Sequence, residues 1–263
     1  SIEGGSPALL EPADLQRALR ALRRSFCLAE DVQISLQTMP GDYSRALMEK
    51  MRDSGVNFWI VGLETAELTE HELLRRPYRF DALTMVDMAL RTFQPRDLSF
   101  DLLYGIPGQT AKSWAHTLET ALAYRPDHIT LWPLSLAGNS ALQAECEAGI
   151  LKPMEKEQSE TLRRYAHESL EALGFRAYTC VDYCLPGKEF RFRVGQMQGM
   201  EQLGLGYRAV TVMDGFTYSN GHSLEEYLQN AGDYTVLANG VTALEGEAKR
   251  AYDLAREGMR PML

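Results

Sequence analysis

The hydrophobic pattern of this chain switches repeatedly between a helical period and continuous apolar runs, and this switching limits the folds open to it. Leu15, Leu19 and Leu22 recur at helical spacing, which is typical of an amphipathic helix. Phe58 to Val61 form an apolar run of the kind found in parallel strands that are covered on both faces. The same patterns predict further strands at 98–104, 128–132 and 175–180 and helices at 114–124 and 158–173. Because strands alternating with helices build a parallel sheet with helices outside it, the sequence predicts an α/β fold.

The alternation weakens after about Pro186, where glycines become frequent. A chain of 263 residues is long enough for one α/β barrel with an appendage. No Pro/Ser-rich linker and no internal repeat separates the two parts of the sequence. We therefore predict a barrel-like domain over residues 1–185 and a smaller C-terminal extension over residues 186–263.

The formal net charge is −9, which argues against a nucleic-acid partner, because phosphate backbones are bound through clustered Lys and Arg. The one basic cluster consists of Arg17, Arg20, Arg23 and Arg24, and we interpret it as a solvated helix face. No apolar run approaches the roughly 20 residues that cross a bilayer, and no signal-peptide pattern opens the chain. We therefore expect a cytoplasmic protein without a membrane partner.

The cysteines and histidines give no sign of a metal site. Cys27, Cys146, Cys180 and Cys184 lack the spacing of a disulfide framework, and Cys180 with Cys184 lacks the rest of a metal-ligand set. The five histidines are scattered without ligand spacing. We expect no metal site in this chain.

Three glycine-rich segments stand where a ligand site of an α/β fold is expected. Gly4-Gly5-Ser6-Pro7 precedes the first helix, Gly62-Leu63-Glu64-Thr65 closes one predicted strand, and the segment from Gly105 to Thr110 closes the next. Ligands of parallel α/β folds bind at the carboxyl ends of the strands. These turns, with Gln37 and Asp101 nearby, bring backbone donors and side-chain acceptors to one edge of the sheet.

The order of these motifs resembles that of a known enzyme family, the HemN-like radical S-adenosylmethionine (SAM) enzymes. Glu3-Gly4-Gly5-Ser6-Pro7 is similar to the family's Gly-Gly-Gly-Thr-Pro turn, and Gln37-Thr38-Met39-Pro40-Gly41 is similar to its Glu-x-Asn-Pro-Gly. The most specific match is Asp101 to Thr110, Asp-Leu-Leu-Tyr-Gly-Ile-Pro-Gly-Gln-Thr, which is nearly intact.

The resemblance implies a partial (β/α)6 radical SAM barrel that lacks its N-terminal strands and carries a small C-terminal α+β extension. It further implies reductive cleavage of SAM by a [4Fe-4S] cluster, giving a 5′-deoxyadenosyl radical that abstracts hydrogen. The family's CxxxCxxC motif lies before the Gly-Gly-Gly-Thr-Pro turn, so we expect the cluster cysteines upstream of Ser1.

The resemblance also assigns SAM contacts. Arg76 matches the arginine that meets the cofactor's carboxylate, and its planar, permanently charged fork suits that task. Asp101 and Gln37 are expected to accept hydrogen bonds from ribose hydroxyls, and Glu64 is expected to favour the cationic sulfonium or amino group. The full set of expected contacts is Gly4, Gly5, Ser6, Pro7, Gln37, Glu64, Arg76, Asp101, Gly105 and Pro107.

Three activities stay open. The first is a methyltransferase of the class C type that uses two molecules of SAM on a small molecule. The second is oxidation of a coproporphyrinogen, for which Arg191 and Arg193 are candidates to meet propionates. The third is a non-catalytic heme carrier, although Phe192 stands where heme-chaperone relatives carry a histidine. The family also implies an electron donor such as flavodoxin or ferredoxin.

Overall fold

The structure is a computed structural model that describes residues 1–42, 44–76, 82–136, 140–230, 233 and 237–261. The chain divides into two compact units, residues 1–189 and 190–263. The boundary predicted after residue 185 lies four residues before this division. Each unit has its own sheet.

The first unit alternates strands and helices, as the hydrophobic pattern predicts. Its strands are β1 (Ser35–Thr38), β2 (Phe58–Glu64), β3 (Asp97–Tyr104), β4 (His128–Pro133), β5 (Arg176–Ala177) and β6 (Asp182–Cys184). Its helices are α1 (Pro12–Ser25), α2 (Arg45–Asp53), α3 (Leu68–Leu73), α4 (Ala82–Phe93), α5 (Ala111–Ala123), α6 (Ala141–Glu147) and α7 (Lys156–Ala172). A short 3-10 helix, Pro7–Leu9, precedes α1.

The six strands form one sheet in the order β1-β2-β3-β4-β6-β5. β1 to β4 are parallel, with Gln37 opposite Ile60, Ile60 opposite Ser99, and Ser99 opposite His128. β6 is antiparallel to both of its neighbours, so the expectation of a wholly parallel sheet is wrong at this edge.

The strand predicted at 175–180 is instead a hairpin of β5 and β6. The Thr179 hydroxyl accepts hydrogen bonds from the backbone N–H groups of Val181 at 3.1 Å and Asp182 at 2.8 Å. A side chain that binds the backbone of the next residues in this way offers the chain a turn in place of a continued strand. The chain therefore reverses after Ala177 and returns beside β4.

The two faces of the sheet differ in polarity. One face carries Leu36, Val61, Phe100 and Ile129, which pack with the helices in the hydrophobic core. Side chains alternate between faces along a strand, so the intervening positions lie on the opposite face. β2 contributes buried Phe58 and Ile60 there, whereas the other strands contribute mainly polar residues that are buried or half-buried: Ser35, Gln37, Ser99, Asp101, His128, Thr130 and Asp182. We call this the inner face.

Amphipathic helices cover the apolar face because their buried positions recur at helical spacing. α1 buries Leu15 and Leu19, and α5 buries Trp114 and Leu118. α5 begins at a capping box in which the Thr110 hydroxyl accepts the N–H of Ser113 at 3.1 Å. No helix in the described part of the chain has both the length and the apolar character to cross a membrane.

The second unit is a small α+β structure, as expected. β7 (Val210–Met213), β8 (Phe216–Asn220) and β9 (Ala238–Ala243) form an antiparallel sheet in chain order. Its helices are α8 (Arg191–Gln198), α9 (Leu224–Gln229) and α10 (Gly246–Glu257).

Candidate functional site at the carboxyl ends of the strands

The carboxyl ends of β1, β2 and β3 bring several of the predicted ligand-binding residues to one edge of the sheet, which we call the rim. Gln37 lies near the end of β1, Glu64 is the last residue of β2, and Gly105 follows β3 directly. Asp101 lies in the second half of β3. Parallel strands present these ends on the same side of the sheet, so the three segments contribute to one site.

Gln37 and Asp101 contact each other across the intervening strand β2. The Gln37 amide Nε2 donates to Asp101 Oδ2 at 2.8 Å. At Gly62 of β2, a Cβ would come within 2.4 Å of Met39 Sδ, so Met39 fills the space that a side chain at position 62 would take. The Gln37 amide fixes one carboxylate oxygen of Asp101.

The Gly4-Gly5-Ser6-Pro7 turn is fastened beside β1. Ile2 forms a parallel bridge with Leu36, and the Ser6 hydroxyl donates to Asp42 Oδ2 at 2.6 Å. Gly4 and Gly5 have φ values of +84° and +72°, and a Cβ on either would meet no heavy atom within 4 Å. Backbone conformation therefore requires these glycines, and the open space beside them leaves their backbone accessible to a ligand.

Glu64 and Arg76 form a two-point ion pair. Arg76 Nε donates to Glu64 Oε2 at 2.9 Å, and Arg76 Nη2 donates to Glu64 Oε1 at 2.7 Å. Glu64 has a φ of +60°, in the left-handed region that a non-glycine residue adopts at a cost. The two residues that the resemblance assigns to different parts of SAM thus contact each other here, and the Arg76 fork already holds a carboxylate.

A buried polar network that sequence reasoning missed fixes the turns after β2 and β3. Gln109 Oε1 accepts the backbone N–H of Gly105 at 2.8 Å, and Gln109 Nε2 donates to Glu70 Oε2 at 3.2 Å. Glu70 also accepts the Thr65 hydroxyl at 2.5 Å, and the Thr65 and Thr117 hydroxyls lie 3.2 Å apart. Gln109 belongs to the motif that ends at Thr110, which is the signal that could have found it. Glu70, on a short helix, gave none.

The second polar group that the sequence did not reveal lies on the inner face. His128 is 1% exposed; its Nδ1 lies 2.8 Å from Ser99 Oγ and its Nε2 lies 2.7 Å from the Tyr178 hydroxyl. The Asp182 carboxylate accepts the Thr130 hydroxyl at 3.0 Å. Buried polar groups are stable when such partners are present, so this group supports the hairpin against β4.

The remaining predicted site residues are Pro107, Arg191 and Arg193. Pro107 lies in the turn between Gly105 and Gly108, whose φ values are +86° and +79°. Arg191 and Arg193 lie two positions apart on α8, in the second unit, and Arg193 Nη1 donates to Gln196 Oε1 at 3.3 Å. Residues two apart on a helix point to different sides, and the expectation that these arginines meet propionates stays a prediction.

The described residues offer no ligand set for a metal ion. No three His, Cys, Asp or Glu side chains among them are placed to hold one. Cys27 is exposed, Cys146 and Cys180 are half-buried, and Cys184 is buried. Burial raises the pKa of the Cys184 thiol to about 12, so this thiol stays protonated at neutral pH.

Comparisons with known proteins agree with this architecture. Residues 1–121 match the family model of the radical SAM superfamily. A solved structure, described as coproporphyrinogen III oxidase (HemN) from Escherichia coli and as a radical SAM enzyme, has the same fold. The TM-score is 0.80 at 20% identity, over 98% of this chain and 62% of that one. The first part of this chain is thus similar in sequence to the radical SAM superfamily, and its fold is that of a solved member.

Two curated relatives are similar in sequence to most of this chain. The heme chaperone HemW of Synechocystis is 27% identical over 226 residues, which cover 86% of this chain and 55% of the relative. The oxygen-independent coproporphyrinogen III oxidase of Pseudomonas aeruginosa is 25% identical over 256 residues, which cover 92% of this chain and 54% of the relative. These similarities support a relation to the HemN-like radical SAM family. The chain spans a little over half the length of these two relatives.

Proposed function

We propose that this chain is the SAM-binding part of a HemN-like radical SAM enzyme. Proteins of this superfamily use SAM and a [4Fe-4S] cluster. When bound, the cluster would supply the electron for reductive cleavage of SAM, and Gly4, Gly5, Asp101 and Arg76 would hold the SAM molecule. The cofactor does the difficult chemistry, and the chain's own residues bind, orient and exclude water.

The observation that carries this proposal is that three different polar features lie at one rim: the backbone of Gly4 and Gly5, the Asp101 carboxylate and the Arg76 guanidinium. The open backbone at Gly4 and Gly5 suits the amino group of SAM. The Asp101 carboxylate, fixed by Gln37 at 2.8 Å, suits ribose hydroxyls because a charged acceptor makes the stronger hydrogen bond. The Arg76 fork suits a carboxylate, since it holds the Glu64 carboxylate at two points.

Binding of SAM at Arg76 would require an exchange of ion pairs, because Arg76 holds Glu64 in this structure. Arg76 would release Glu64 and hold the cofactor's carboxylate, and Glu64 would then face the cofactor's ammonium or sulfonium group. Both new contacts would again join opposite charges.

We infer a tetrapyrrole as the class of small molecule that the whole protein handles. The supporting observation is that the two curated relatives are a heme chaperone and a coproporphyrinogen III oxidase. Neither name supports the methyl transfer expected from the sequence. Of the two tetrapyrrole activities, oxidation of a porphyrinogen is favoured over heme transfer, because Phe192 stands where heme-chaperone relatives carry a histidine.

The experiment uses the full-length protein, reconstituted anaerobically with iron and sulfide and supplied with SAM and dithionite. We expect 5′-deoxyadenosine by mass spectrometry, and its absence from a protein with an intact cluster would overturn the proposal. S-adenosylhomocysteine beside it would favour methyl transfer instead of porphyrinogen oxidation. A Soret shift at stoichiometric heme without 5′-deoxyadenosine would favour the carrier.

A further inference from the structure

The first two helices carry positive charge in an otherwise acidic protein. α1 contains Arg17, Arg20, Arg23 and Arg24 against one acidic residue, and α2 contains three basic residues against two acidic ones. The two helices therefore carry a formal charge of +4, although the whole chain carries −9. Such an asymmetry on a folded surface creates a local field that attracts a partner of the opposite sign.

These charges lie on one continuous surface. α1 packs against α2, and Arg23 Nη2 donates to the backbone oxygen of Ser54, just after α2, at 2.9 Å. Arg17, Arg20 and Arg24 lie at helical spacing on the side of α1 that faces away from buried Leu15. We call the solvent side of the two helices the α1–α2 face.

The arginines on the solvent side of α1 make few contacts that stabilise the fold. Arg17 is 77% exposed and pairs only with Asp14 of the same helix, at 3.2 Å. Arg20 and Arg24 are exposed, and neither has an ion-pair partner among the residues that the structure describes. Exposed pairs of this kind contribute little to folding, so stability does not explain the cluster.

Apolar side chains flank the charged surface at both ends of α1. Leu9 and Leu10 are exposed before the helix, and Phe26 is 46% exposed after it. Apolar anchors beside charged groups are typical of protein–protein interfaces. Asp14, Glu49 and Asp53 interrupt the basic residues, so the two helices offer no continuous basic stripe of the kind that tracks a phosphate backbone. With its apolar flanks, the surface fits an acidic protein better than a nucleic acid.

We infer that the α1–α2 face is the docking surface for a small acidic electron-transfer protein. The inference rests on the proposed function, because reductive cleavage of SAM consumes one electron that a reduced donor must deliver. α1 begins five residues after the Gly4-Gly5-Ser6-Pro7 turn, so the chain leads directly from the predicted cofactor turn into this face. The arginines are exposed in the structure, in line with their interpretation as a solvated helix face, and the inference gives that face a partner.

The test compares two triple variants of the reconstituted full-length protein. Arg17→Gln, Arg20→Gln and Arg24→Gln remove three charges from the α1–α2 face, and glutamine keeps the helix propensity. Lys152→Gln, Lys156→Gln and Arg164→Gln remove three exposed charges at and before α7 as the matched control. The initial rate of 5′-deoxyadenosine formation is measured against the concentration of reduced flavodoxin, at low and high NaCl, and separately with dithionite.

We expect kcat/KM for flavodoxin at low salt to fall about tenfold in the α1 variant and less than about twofold in the control. The salt dependence of the α1 variant becomes shallower, whereas its rate with dithionite equals that of the wild type. Equal losses in the two variants, or no loss in the α1 variant, would overturn the inference. A misfolded variant is recognised by circular dichroism and replaced by Arg20→Gln with Arg24→Gln, for which a fall of about threefold is expected.

If the wild type makes no 5′-deoxyadenosine with dithionite, the proposed function fails, and docking is then measured by itself. Biolayer interferometry with flavodoxin at low salt requires no turnover. Binding that the α1 variant loses and the control keeps supports the inference, and equal binding by all three proteins overturns it. Binding of a fluorescent single-stranded oligonucleotide at physiological salt, lost only in the α1 variant, would also overturn it.

Discussion

At the scale of single residues, the contact between Gln37 and Asp101 pairs a neutral amide donor with a carboxylate acceptor. We expect Gln37→Glu to destabilise the chain at neutral pH, because two carboxylates would face each other where the amide now donates at 2.8 Å. The loss should be about 1–3 kcal/mol. Urea unfolding of the variant and the wild type at several pH values measures it.

The pH dependence of this variant has a definite sign. The folded variant retains a proton that the unfolded chain releases above about pH 4, so its free energy of unfolding falls relative to that of the wild type as the pH rises above this value. The control is Gln37→Glu combined with Asp101→Asn, which restores one amide and one carboxylate to the pair. A double variant as unstable at pH 8 as the single one would show that the carboxylates do not interact.

The ion pair between Glu64 and Arg76 gives a second prediction about single residues. We expect Glu64→Ala to weaken SAM binding by about tenfold, because it removes one of the two ion pairs formed after the exchange, and Gln37→Glu to weaken it less. Isothermal titration of SAM into the chain measures both constants. Equal losses, or tighter binding by Glu64→Ala, would mean that Glu64 only competes with the cofactor for Arg76.

At the scale of elements, Gln109 joins the turn after β3 to α3. Gln109→Leu leaves the N–H groups of Gly105 and Ile106 without their acceptor and removes one of the two donors to Glu70, the other being the Thr65 hydroxyl. Unsatisfied buried groups are costly, and we expect a loss of about 2–4 kcal/mol by urea unfolding. The matched control is Gln143→Leu on α6, whose half-buried side chain donates to Glu147 and should cost less than about 0.5 kcal/mol. Equal losses would contradict a special role for Gln109.

The elements that the sequence predicts well are those whose hydrophobic period is set by burial on one side. β2, β3 and α7 appear within a few residues of their predicted positions, because a long covered strand or an amphipathic helix needs a particular spacing of apolar residues. The turns at the rim were located for a similar reason, since positive φ at Gly4, Gly5 and Gly105 restricts those positions to glycine.

Contacts between distant segments could not be predicted in this way. The β5–β6 hairpin depends on the Thr179 hydroxyl, which accepts hydrogen bonds from the backbone N–H groups two and three residues ahead. A single polar residue in an apolar run does not predict such a turn. The pairing of Glu64 with Arg76 and of His128 with Tyr178 depends on where the chain brings side chains together. Residue types were visible in the sequence, but their partners were not.

At the scale of the whole molecule, the buried ionisable groups predict how the fold responds to alkali. Burial raises the pKa of Tyr104 to about 12 and that of the Cys184 thiol to about 12, and it also raises the pKa of Tyr183 and of Tyr124. In the unfolded chain these groups titrate near their ordinary values, about 10 for tyrosine and about 8.5 for cysteine. The unfolded chain therefore loses protons first as pH rises.

The sign of the effect follows from this order. A group whose folded-state pKa is raised contributes stability that is present below the unfolded pKa and is lost as pH rises through the folded pKa. We expect the free energy of unfolding to be nearly constant up to about pH 8 and to fall by several kcal/mol before about pH 12. Urea unfolding across this range, together with phenolate absorbance of the folded chain, measures both quantities.

Tyr104→Phe separates one contribution from the rest. Tyr104 is buried at the end of β3, so the variant should match the wild type at neutral pH within about 1 kcal/mol and exceed it by about 1–2 kcal/mol near pH 11. Tyr165→Phe, at an exposed position of α7, is the control and should follow the wild type at every pH. If Tyr104→Phe falls as steeply as the control, the alkaline loss arises from other groups, and the thiol of Cys184 becomes the next one to test.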